Sequence, residues 1–149
     1  MSITLADVQQ RLEEAVEADG TFVLSAHEFD DFPPAKDSGD VLHRAFAVGL
    51  LSTETAEGRQ RRGSGHVGAW CLTDVRVRVC FHARADDRRG SYREALDDEE
   101  RLVSLLLGRE TDPELQLRWE GTVNRALAGP SVRMHELQFT AHHHYSLIT

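Results

Sequence analysis

The sequence predicts an α+β fold in which a single mainly antiparallel β-sheet carries two helices on one face and extends a long β-hairpin arm. Three observations predict it. Two segments repeat apolar residues at helical spacing, Thr73 to Phe81 alternates valine with arginine at period two, and two strand-like runs flank a charged insert from Glu54 to His66. Helices and strands grouped in runs, rather than in strict alternation, argue for α+β.

Thr4 to Ala18 reads as an amphipathic helix, with Leu5, Val8, Leu12, Ala15 and Val16 on one side and Glu13, Glu14 and Glu17 on the other. Ser2 or Thr4 is its N-cap, Thr4 with Asp7 three residues on, and Asp19-Gly20 closes it. Thr21 to Phe29 follows as a strand. Asp30 to Asp40 holds Pro33-Pro34 and Ser38-Gly39 and reads as an exposed loop. Val41 to Thr53 resumes strand character, and its apolar run Ala45 to Leu51 suits a strand covered on both faces.

The insert Glu54 to His66 carries Arg59, Arg61 and Arg62 with two glutamates and three glycines, too polar to form a core and able to stay flexible until it meets a partner. It is the expected arm tip. The chain returns from Val67 as a strand in which Val75, Val77, Val79 and Phe81 face the core while Arg76, Arg78 and Cys80 alternate with them. Ser91 is the expected N-cap of a helix Tyr92 to Leu107, with the stripe Tyr92, Ala95, Leu96, Val103, Leu106 and Leu107, and Gly108 its C-cap. Two strands close the chain: Glu114 to Asn124, broken by Gly121, and Ser131 to Ile148, with Gly129-Pro130 turning between them. Leu137, Phe139, Ala141, His143, Tyr145 and Leu147 share one face of the last strand.

A chain of 149 residues with 40% hydrophobic content fits one domain over residues 1–149, burying roughly two-thirds of the surface its unfolded form exposes. No run approaches the roughly 20 apolar residues that span a bilayer, and the N-terminus lacks the regions of a signal peptide, so a protein made in the cytoplasm and free of membrane is expected. Cys71 and Cys80, nine residues apart in one extended segment, are out of disulfide reach. A net charge of −8 opposes binding to a phosphate backbone, yet lets DNA pass without sticking.

Candidate chemistry is sparse. His142 and His144 point the same way along a strand and invite a metal reading, but nothing in the spacing selects further ligands; His82 and His135 are candidates only. The run Asp97-Asp98-Glu99-Glu100 points in four directions on a helix and reads as a solvated face. Gly63-Ser64-Gly65-His66 lacks the Lys-Ser/Thr ending of a phosphate-binding loop. Neither an enzyme nor a cofactor is expected. The arm offers both signs of charge for contact between copies of one chain, through Glu54, Glu57, Arg59, Gln60, Arg61 and Arg62.

The order of elements, with His43-Arg44-x-Phe46-x-Val48, Arg59-Gln60-Arg61-x-Gly63, Thr73-Asp74-Val75-x-Val77 and the helix from Tyr92, resembles the tail terminator or tail-completion proteins of long-tailed phages, over roughly Leu5 to Leu147. The resemblance implies a virion protein of the tail or neck that forms a ring, commonly a hexamer, on the last ring of the tail tube, stops tube growth and docks the head connector or stopper protein. It places the inter-subunit arm at Arg59 to Gly63, and the Pro33-Pro34 loop and the triple histidine depart from the pattern. Six copies at −8 each carry −48, a channel that repels DNA and lets it slide past, and Asp97, Asp98, Glu99 and Glu100 are the candidates for its lining. The alternatives are a head–tail connector or neck adaptor of the same particle and a small metal-binding α+β protein using His142 and His144.

Overall fold

The computed structural model describes residues 3–34, 41–55, 61–63, 66–108 and 114–148, with the backbone alone given for 61–63, 66–69 and 145–148. Helix α1, Leu5–Glu17, begins at a capping box: the Thr4 hydroxyl accepts from Asp7 N–H while the Asp7 carboxylate accepts from Thr4 N–H. Gly20 turns the chain at φ +76°, and the short strand β1, Val23–Leu24, follows. The expected strand to Phe29 stops there. Residues Phe29–Asp31 form a 3-10 turn instead, because only Val23 and Leu24 find a strand partner, in Ala45 and Phe46.

The rest of the sheet is built from β2, Ala45–Thr55; β3, Arg61–Gly63; β4, His66–His82; β5, Leu115–Gly129; and β6, Val132–Ile148. The strand order is β1-β2-β4-β6-β5, with β3 pairing β4 beyond the end of β2; β1 is parallel to β2 and all other pairs are antiparallel. The fold is α+β, as the sequence predicts. β2, β3 and β4 make the expected hairpin, paired from Phe46↔Val79 to Thr55↔Cys71 with a one-residue shift of register between Leu50 and Ser52, and again from Arg61↔Gly68 to Gly63↔His66.

The arm is not a free two-stranded finger, however. β6 runs beside β4 along its entire length, from His82↔Val132 to His66↔Ile148, so the far end is an extension of the sheet itself. Two strands of 17 residues, at about 3.3 Å per residue, are simply longer than the helix layer needs.

Both helices lie on one face. Val8, Leu12 and Val16 of α1 pack with Ala95, Leu102 and Leu106 of α2, Arg88–Leu107, onto Phe46, Val48, Val75, Val77, Val79, Phe81, Leu137 and Phe139. Among the described residues the opposite face is covered at one end, by Phe29, Phe32 and Val41 against Ala45, Ala47, Cys80 and Val132. That is why Ala45 to Val48 is apolar without alternation: each side of β2 has its own cover. Phe29 sits so close to Gly49 that a Cβ there would come within 2.5 Å of its ring.

Helix α2 begins a turn earlier than expected. Asp87 is its N-cap, accepting from Gly90 N–H, and Ser91 is inside the helix with its hydroxyl on Asp87 O. Its inward face carries Asp98 and Glu99, which corrects the reading of 97–100 as a solvated face: these two are 7% and 5% exposed, while Asp97 and Glu100 remain outside.

Candidate interaction surface

The buried carboxylates are structural clamps. Glu99 takes both nitrogens of Arg125 on β5, at 2.9 and 2.7 Å, and lies 2.9 Å from His135 Nδ1 on β6. Burial works to raise its pKa, but His135 and Arg125 outweigh it and hold the carboxyl down at about 2. Asp98 binds Arg44, a residue at φ +65° whose N–H donates to Cys80 O and whose carbonyl accepts from Val23 N–H. These pairs tie α2 to three strands. Facing inward, Asp98 and Glu99 leave only Asp97 and Glu100 of the four expected lining residues on the surface.

His143 is buried with its Nε2 on the Thr73 hydroxyl at 2.8 Å, and Thr73 is bonded in turn to Thr53 at 2.9 Å. Burial, with His142 and His144 beside it, pushes its pKa down, so the ring stays neutral in the core. His142 and His144 lie on the other face, around Trp70: the indole stacks on His142 at 4.8 Å between centroids and meets His144 edge-on at 5.4 Å. Among the described residues no group of three or more His, Cys, Asp or Glu side chains is placed to hold a metal ion. His82 donates its backbone N–H to His43 Nδ1 and has Nε2 on Val41 O. Cys80 is fully buried and its thiol is pushed up to about 12.

The helix-free face carries a ladder of charge. Arg78 bonds Glu136 at 2.7 Å and the carbonyls of Phe29 and Phe32, and stacks over the Phe29 ring. Arg76 shares Glu136 and reaches Asp74, which also accepts from Gln138. The ladder pins the 29–32 turn to the sheet. Past it, toward the far end, this face has no covering element among the described residues and presents Trp70, His142 and His144.

Both borders of the sheet are open among the described residues. There β5 has a strand neighbour only in β6 and exposes Trp119, Val123 and Leu127. On the other side β1 covers β2 only at Ala45 and Phe46, and Leu51 to Thr55, Glu54 included, is exposed. Next to that open length of β2 lies a cleft of about 580 Å³ lined by Gln9 and Glu13 of α1, the 24–30 segment and Ala47 to Leu51. Within it Gln9 Nε2 donates to Val48 O at 3.3 Å. Burial pushes Glu13 up.

Of the residues expected at a subunit interface, Glu54 is an exposed strand residue opposite Leu72, and Arg61 and Arg62 are in β3 at the far end. Glu57, Arg59 and Gln60 lie outside the described residues. Sequence reasoning does not find the cleft, since its walls come from three separate segments with no shared motif. No family model matches the sequence, and comparison with curated proteins returns no match.

Proposed function

We propose that the protein is a tail terminator: a structural virion protein that closes into a ring, of six copies by the resemblance, caps the tail tube and docks the head connector. The observation that carries the reading is that the sheet outruns its helix layer and, among the described residues, is open on both sides. Paired strands continue to His66↔Ile148, beyond the last buried residues described on β4 and β6, Cys71 and His143.

A closed ring requires a heterologous interface, in which two different patches of each subunit meet. The β5 side and the β2–β3 side are two such patches on opposite borders of one sheet. Long unpaired edges invite pairing with another chain, so their retention is favoured where a partner chain covers them. The net charge of −8 per copy supports a passage that DNA crosses without adhering.

Electron microscopy of tail-tube protein polymerised with and without the chain tests the reading. Short tubes blocked at one end support it. Tubes of unchanged length overturn it, and binding to isolated connectors with no effect on tubes transfers the protein to the neck.

A further inference from the structure

We propose that the β5 border of one copy adds, antiparallel, to the open length of β2 in the next copy and seats Trp119 in the cleft beside that strand. The inference deepens the ring reading and rests on it.

Charge names a second copy as the occupant. Residues 1–34 hold eight acids and one arginine, a net −7 of the chain's −8, and they supply α1, β1 and the 29–31 turn around the cleft. Residues 115–133, β5 with its turn, hold three arginines and one glutamate, a net +2, or +1 with the Glu99 that clamps Arg125 counted in. The acidic border therefore attracts the opposite border of another copy and repels its own kind.

Topology sets the direction. β2 pairs β4, β4 pairs β6 and β6 pairs β5, all antiparallel, so β2 and β5 run in opposite senses. A rotation about an axis along the strands preserves each sense, and β5 of one copy then meets β2 of the next antiparallel, with both helix layers on the same side.

The backbone groups of the two borders match. Phe46 and Val48 turn their carbonyls outward, to Ser25 N–H and to the Gln9 side chain. Hydrogen-bonded and non-bonded pairs alternate across an antiparallel sheet, so three pairs on from Phe46, through Val79 and His135, Arg125 also turns its groups outward. The same holds for Trp119 on the row of Leu50, through Val75 and Phe139. All the register shifts of β5 lie past Trp119, and the regular stretch Leu115 to Trp119 spans the rows of Leu50 to Thr55, the part of β2 with no strand on its outer side among the described residues.

The side chains match as well. Trp119, 43% exposed, shares the helix face with Phe139, and its row extended into the next copy brings the indole beside Leu50. There Gln9 and Glu13 wall a cleft of about 580 Å³ and offer acceptors for the indole N–H. Arg118 is on the other face and 77% exposed, resting in the single copy on Glu120 of its own strand. In the contact it comes between Glu54 and the acids Glu28 and Asp30, which flank the Phe29 ring at Gly49.

Crosslinking tests the pairing. Gln116 and Glu54 are exposed on one row of the helix-free face, through His142 and Leu72, and Ser52 is the next exposed position of that face on β2. Gln116→Cys is mixed with Glu54→Cys and, separately, with Ser52→Cys, and oxidised; the native Cys71 and Cys80 are buried. Directly opposed strand residues stand within disulfide reach, so one of the two mixtures is expected to give a crosslinked dimer on a non-reducing gel. Light scattering at low salt tests the seat: Trp119→Ala is expected to weaken association at least tenfold, with its melting temperature recorded. No crosslink in either mixture, a crosslink within one variant alone, or association of folded Trp119→Ala at wild-type strength each overturns this contact, and the ring reading stands while the wild type associates. A wild-type chain that stays monomeric at the highest concentration reached overturns the ring reading and this contact together. If Trp119→Ala fails to fold, the crosslink alone decides.

Discussion

Arg125 on the border strand β5 and Glu99 on α2 meet in a two-pronged ion pair of 2.9 and 2.7 Å, and Glu99 also faces the fully buried His135 on the neighbouring strand. This clamp holds β5 in place, while its outer side has no strand neighbour among the described residues. Glu99 thus fixes β5 by its inner side, across the sheet–helix boundary.

Glu99 is buried, whereas Arg125 keeps 41% of its side chain in solvent and can be hydrated when its partner is lost. Glu99→Ala is expected to cost roughly 1–3 kcal/mol in urea unfolding at neutral pH, and Glu99→Gln somewhat less, since it keeps the shape. A loss under about 1 kcal/mol would show that Arg125 and His135 find other partners.

The same group sets an acid limit. The Glu99 pKa is lowered from 4.5 to about 2 in the folded chain, so its contribution is complete above about pH 4.5 and is lost as pH falls toward 2. The loss amounts to roughly 3 kcal/mol for that shift. His143 acts in the same direction nearer neutrality: its folded pKa is depressed, so its contribution is present above its unfolded pKa and fades as pH drops through the folded one. Denaturant unfolding across pH, compared between wild type and Glu99→Gln, separates the two. The variant should lose the lower step and retain the upper.

Gly49 is required by the Phe29 ring. Gly49→Ala places a methyl group within 2.5 Å of that ring and is expected to destabilise by roughly 1–3 kcal/mol through overpacking. Phe29→Leu in the same chain should recover part of the loss, which a double-mutant cycle on thermal unfolding measures.

Cys71 and Cys80 are both buried, and burial raises both thiols. Neither is expected to react with an alkylating reagent at pH 8 until denaturant is added. Mass spectrometry of the alkylated native protein reads this directly.

What the sequence disclosed was local. The Thr4–Asp7 cap, one of two the sequence offers, the alternation of Val75 to Phe81 and the turn at Gly129-Pro130 depend on neighbours within a few residues, and the structure has all three. Asp98 and Glu99 were misread because their burial depends on Arg44 and Arg125, 54 and 26 residues away in the chain. The start of α2 was misplaced because Ser91, a good cap by type, is four residues from Asp87, which caps it in fact. The strand expected at Thr21 to Phe29 shrank because propensity cannot supply a pairing partner.

The central claim is that this chain forms the ring that ends a tail tube. Gold labelling of the chain in assembled tails, viewed by electron microscopy, tests it most directly. The account predicts label confined to one position at the head-proximal end of every tail; label along the tube, at the distal tip, or absent from the particle would contradict it.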